Sequence, residues 1–126
     1  MGVTFRARLA PTAPFMKTIT YNKLVRDKIP QIIARSNAVA KFRFLNNEAF
    51  IRELKKKLLE ESAELQRARG RKESLNELSD VLEILRTIAE VEKLAWKNVE
   101  RKRMAKNRER GGFKKKIFLE KVKELD

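Results

Sequence analysis

From Glu48 to about Arg69 apolar residues recur with a helical period. Ile51, Leu54, Leu58 and Leu65 fall on one face, with Phe50 beside them. Asn46 or Asn47 is placed to cap this helix, and Gly70 to end it as a C′ residue. Ser74 then offers a second N-cap, with Glu77 three residues on as its capping-box partner, and the second helix is predicted to run to about Lys93. It carries two adjacent apolar stripes, Leu75, Leu78, Leu82 and Leu85, and Val81, Ile84 and Ile88. A helix apolar over so wide an arc packs on more than one side.

The flanks are less regular. KTITY, residues 17–21, predicts a short extended entry. Asn22 looks like an N-cap for a helical KLVRDKI, which Pro30 would bend or interrupt. PQIIARSN adds a turn or two of helix ending near Ser36-Asn37, and AVAKFRFLN is a strand or an extended loop. Beyond a break near Trp96, Asn98 to about Arg110 reads as a polar, basic helix stopped by Gly111-Gly112. FKKKIFLEKVKEL closes the chain, with Phe113, Ile117, Phe118 and Val122 as anchors onto the core. MGVTFRARLAPTAPF, residues 1–15, is expected to be a disordered leader, and Met16 to open a single domain spanning 16–126.

Composition narrows the chemistry. The 126 residues suit one domain, and the 38% charged content suits long solvated helices. There is no cysteine and no histidine, which removes disulfides, thiolate metal sites and the usual general base. Any metal site must use oxygen ligands, which points to magnesium, manganese or calcium. The formal charge of +14 favours polyanionic ligands. No apolar run reaches the roughly 20 residues of a membrane span, nor does the N-terminus carry a secretory signal core, so a cytoplasmic location without membrane partners is expected.

The acids of the two central helices are the sharpest feature. Glu60-Glu61-Ser62-Ala63-Glu64 is an EExxE pattern, and Glu77-Leu78-Ser79-Asp80 an ExxD pattern. Residues three apart share a helical face, so Glu61 pairs with Glu64 and Glu77 with Asp80. Glu61 lies in the stripe of Leu58 and Leu65, while Glu77 and Asp80 each precede an apolar stripe residue by four. Such acids alone usually mark a solvated face, and Lys55, Lys56 and Lys57 are near enough to pair with some of them. Burying several without a partner costs several kcal/mol each, on the order of the penalty for any unpaired ion. A divalent cation, one or two per site, removes that penalty.

EExxE, a gap of twelve residues and ExxD resemble the all-α nucleoside triphosphate pyrophosphohydrolases, the MazG-like, phosphoribosyl-ATP pyrophosphohydrolase-like and dUTPase-type helical enzymes. YNKLVRDKIP is similar to the entry segment of one MazG-like branch, and RGGFKKKIFLE, from Arg110, to its closing segment. The resemblance spans about Ile19 to Val122. It implies an all-α bundle whose four-helix core is completed by dimerisation, sometimes extended to a tetramer. It implies magnesium-dependent hydrolysis, with manganese as a substitute, of the α–β phosphoanhydride of a nucleoside triphosphate. The products are a nucleoside monophosphate and pyrophosphate, and the role is often clearance of non-standard nucleotides. Glu61, Glu64, Glu77 and Asp80 match the metal-binding carboxylates. Glu60 matches the first acid of EExxE, which orients water or shares a second metal; with Glu61 it is the catalytic candidate. Lys23, Arg26 and Lys28 from the entry, and Lys106 and Arg110 from the end, are the candidates for holding the triphosphate.

One feature departs from that pattern. Between Lys97 and Lys116 there are ten basic residues against two acids, Glu100 and Glu109. This basic run suits nucleic-acid contact, besides hydrolysis or instead of it. Few aromatic residues are interleaved with it, which argues against base-stacking recognition of single strands. A third class, a helical assembly module with surface ion pairs only, leaves the acids on apolar stripes unexplained.

Overall fold

The computed structural model describes residues 2–6 and 17–126. Along them run β1 (Gly2–Arg6), α1 (Ile29–Arg35), β2 (Val39–Arg43), α2 (Asn47–Arg67), α3 (Gly70–Val91) and α4 (Trp96–Arg110). The fold is helical in its bulk, as the periodicity predicts, with one small sheet added. β1 pairs antiparallel with β2, from Gly2 opposite Arg43 to Arg6 opposite Val39. β1 thus falls within the stretch expected to be a leader; residue 1 and residues 7–16 lie outside the described residues.

The centre of the fold is the antiparallel hairpin of α2 and α3. Asn46 caps α2, its side-chain oxygen accepting the Ala49 amide at 2.8 Å. The link between the helices is only Ala68 and Arg69, both extended. Gly70 does not serve as C′; it opens α3 at φ 76°, a left-handed turn that redirects the chain. The predicted Ser74 cap is likewise displaced. α3 starts five residues earlier, with Arg69 at the N-cap, and the Glu73 carboxylate accepts the Arg69 amide at 2.7 Å instead.

α3 ends in a Schellman motif. The Leu94 amide donates to the Ala89 carbonyl and the Lys93 amide to the Glu90 carbonyl, with Lys93 itself at φ 59°. α4 then packs on α3, and the Arg86 guanidinium sits 4.8 Å over the Trp96 ring.

The entry segment departs from expectation. Of KLVRDKI only Ile29, the first residue of α1, is helical, and Asn22 takes a left-handed φ of 45° in place of a capping geometry. Pro30 is the second residue of α1, in its first turn, and does not break a helix. A first-turn residue has no intrahelical use for its amide, so proline is tolerated there and its fixed φ favours the turn. Lys23 and Arg26 therefore share no helical face.

The core is small. Among the described residues Leu54, Ile84 and Ala89 are the buried hydrophobic side chains. The stripe containing Ile84 faces α2. The other stripe of α3, Leu75, Leu78, Leu82 and Leu85, is exposed. The closing segment is a second correction: Phe113, Ile117, Phe118 and Val122 are exposed rather than seated on the core. Among the described residues no helix is long and apolar enough to cross a membrane.

Candidate metal centre

The short link between α2 and α3 decides the site. It holds the two helices in one register, so acids from both meet on the inner face. Glu61 of α2 and Glu77 and Asp80 of α3 each bring one carboxylate oxygen within 4.8 Å of the others. Magnesium takes oxygen ligands at about 2.1 Å, and Glu61, Glu77 and Asp80 are the residues that would hold one here.

Two oxygens in this group carry no hydrogen bond. Glu61 Oε2 and Glu77 Oε2 are both shut off from solvent and unpaired. The Glu61 side chain is only 12% exposed, although its other oxygen lies 3.7 Å from Lys57 Nζ. The Glu77 Oε1 atom accepts a long 3.4 Å hydrogen bond from the Asn76 amide. Buried carboxylate oxygens without donors are costly, and a divalent cation is the partner that satisfies both at once. The donor set, oxygen only, fits magnesium or manganese.

Electrostatics tell the same story for Glu61. Burial, first, and then the hydrogen bond and charge of Glu64 push its carboxyl from 4.5 up to about 7. Lys57 opposes the shift and Asp80 adds to it. Without a metal, Glu61 resists ionisation because its neighbours are like-charged and water is scarce.

Across from Asp80 stands the entry segment. Arg26 Nη2 donates to Asp80 Oδ1 at 2.8 Å, tying residues that lie 54 positions apart in sequence. Of the five basic residues expected to hold phosphate, Arg26 alone pairs with an acid of the cluster among the described residues. Lys23 is exposed, with its ammonium 5.5 Å over the Tyr21 ring, and Lys28 is exposed at the start of α1. Lys106 and Arg110 are exposed on α4.

Glu64 lies at the edge of the group, exposed, and its nearness adds to the upward push on the Glu61 carboxyl. Glu60 is exposed and outside the three converging acids. Sequence reasoning missed the Arg26–Asp80 pair and the Asn76 contact. Neither has a spacing signal, since one joins distant segments and the other is an ordinary polar neighbour.

Compared with known protein families, curated proteins and solved structures, the chain matches none.

Proposed function

We propose that this chain is a magnesium-dependent nucleoside triphosphate pyrophosphohydrolase, cleaving the α–β anhydride to a nucleoside monophosphate and pyrophosphate. It acts in the cytoplasm as a homo-oligomer, on non-standard nucleotides among others. The observation that carries the reading is the convergence of Glu61, Glu77 and Asp80 with two buried, unpaired oxygens. The resemblance of EExxE, ExxD and the two flanking segments supplies the reaction.

Water attacks the α-phosphorus, the bond to the bridging oxygen breaks, and pyrophosphate leaves with the electron pair. Magnesium, when bound, acidifies the attacking water and neutralises charge on the separating phosphates. Glu61, Glu77 and Asp80 would hold it, with Glu64 at the edge. Glu60 or Glu61 takes the proton of the attacking water. Arg26 leaves Asp80 for a phosphate oxygen, and Lys23, Lys28, Lys106 and Arg110 add positive charge around the triphosphate.

The test is pyrophosphate release from a panel of standard and damaged nucleoside triphosphates with magnesium. Release is expected for at least one substrate, with a loss of a hundredfold or more in Asp80→Asn and Glu61→Gln. Release no greater than in those variants would end the enzymatic reading.

A second reading has its own observation. α4 has no buried residue, and its seven basic side chains face two acids, one of which is already tied to Arg103. That surface supports contact with nucleic acid.

A further inference from the structure

Only the start of α4 is held by the rest of the fold. Trp96, whose ring lies under Arg86 of α3, is half-buried together with Val99 and Glu100, and these residues mark the side turned to α3. From Arg101 to Arg110 every residue is exposed except Ala105, which is half-buried. Gly111, at φ 83°, turns the chain out of the helix, and Lys114, Lys115 and Lys116 follow, all exposed.

The basic residues of α4 are ordered around it. Lys97, Arg101 and Arg108 share one face, and Lys102, Lys106 and Arg110, each four apart, share another. With 3.6 residues per turn the two rows stand about 160° apart, on opposite flanks of the helix. Between them, on the side away from α3, lie Asn98 and Ala105, which with Arg101 and Lys102 line a shallow, open depression.

We infer that α4 lies in the major groove of duplex DNA, with Asn98 and Ala105 toward the base edges and one basic row against each phosphate backbone.

Two rows on opposite flanks suit a groove, which puts phosphates on both sides of whatever enters it; a flat anionic surface meets one side only. The major groove of B-form DNA is about 12 Å wide, and a helix with its side chains about 10–12 Å across. Residues 101–110 extend about 15 Å, the length of about four base pairs. The Asn98 amide has the donor and acceptor that an adenine edge requires, and the small Ala105 lets the helix approach the floor of the groove. Glu109, the one acid on this side, has the acceptor for a cytosine amine. A-form RNA has a deep, narrow major groove that side chains cannot read. A lipid surface requires an apolar face, and beyond the residues turned to α3 this helix offers only Met104 and Ala105.

The inference rests on the nucleic-acid reading of α4 and is independent of hydrolysis. Its test is fluorescence anisotropy of the full chain with a 20-base-pair DNA duplex, the same duplex as RNA, and phosphatidylserine vesicles at equal phosphate. The DNA duplex is expected to bind at least tenfold more tightly than either. Dimethyl sulfate should find guanine N7, in the major groove, protected, and netropsin, which fills the minor groove, should not compete. Ala105→Glu and Asn107→Glu each add one negative charge to α4, the first on the inserted side and the second off it. Ala105→Glu is expected to weaken DNA binding at least tenfold more than Asn107→Glu, with helicity by circular dichroism unchanged in both. DNA binding with N7 unprotected, displacement by netropsin, equal loss in the two variants, or preference for RNA or vesicles overturns insertion in the groove. The first three would leave nucleic-acid contact standing, whereas binding to neither duplex would end that reading as well.

Discussion

Glu61→Gln separates burial from metal binding. The Glu61 carboxyl is held at about 7 in the fold against 4.5 in an unfolded chain. A carboxyl with a raised folded value binds more protons folded than unfolded between those limits. The metal-free protein therefore loses stability as pH rises through the window from 4.5 to about 7. Below the window Glu61 is neutral in both states and costs nothing. Above it the full penalty of burying the ion is present. The two values set a ceiling of about 3 kcal/mol. Lys57 is already counted in that value, and residual water access reduces the usable part to about 1–2 kcal/mol.

Glutamine keeps the shape and cannot ionise. In chelator at pH 8, Glu61→Gln is expected to be more stable than the parent by about 1–2 kcal/mol, with the difference vanishing near pH 4.5. Urea unfolding at one fixed protein concentration, at both pH values, measures this. Saturating magnesium should reverse the order at pH 8. A ligand at a hundred times its dissociation constant stabilises the parent by about 2.7 kcal/mol, and the variant has lost one donor. A variant no more stable than the parent in chelator would refute the burial argument. A variant more stable in both conditions would mean that Glu61 is buried but does not bind metal.

Arg26→Gln removes the cation already seated on Asp80. Calorimetric titration with manganese should show binding tightened severalfold without nucleotide, and nucleotide affinity in magnesium weakened; if neither changes, Arg26–Asp80 is only an exposed ion pair worth about 0.2–1 kcal/mol. For α4, Lys102→Gln with Arg108→Gln should lower the slope of log affinity against log salt for duplex DNA by about two, measured by fluorescence anisotropy. An unaltered slope, or no binding by the parent, would remove the nucleic-acid reading.

What the sequence could reveal depended on whether the determining contact was local. α2 was legible because its cap, Asn46, and its stripe lie within one segment. Pro30 was ambiguous, since proline both breaks a helix from inside and starts one at its first turn. The second use won because Ile29–Arg35 finds a place against β2 and residues 23–28 do not form a helix. The reading of Phe113, Ile117, Phe118 and Val122 as anchors onto the core rested on their apolar character alone, and it failed. Nothing in a single chain's pattern states what covers such residues, and among the described residues these side chains stand exposed.

The convergence of the acids was legible for a stronger reason. In a tight hairpin, residues equally distant from the link meet. Glu61 and Glu77 each stand eight residues from Arg69, and Leu54 and Ile84 each stand fifteen. One register therefore places two apolar side chains together toward the open end and two carboxylates together toward the link. The same register that makes the core favourable makes the acid site unfavourable, so the chain cannot relieve the carboxylates by sliding α3 along α2 without losing Leu54 and Ile84. Relief must come from outside the hairpin. The Arg26 guanidinium supplies part of it at Asp80 and Lys57 part at Glu61, yet both reach only one oxygen each. The two oxygens left over, one on each helix, mark the place where a cation held by both would join α2 to α3.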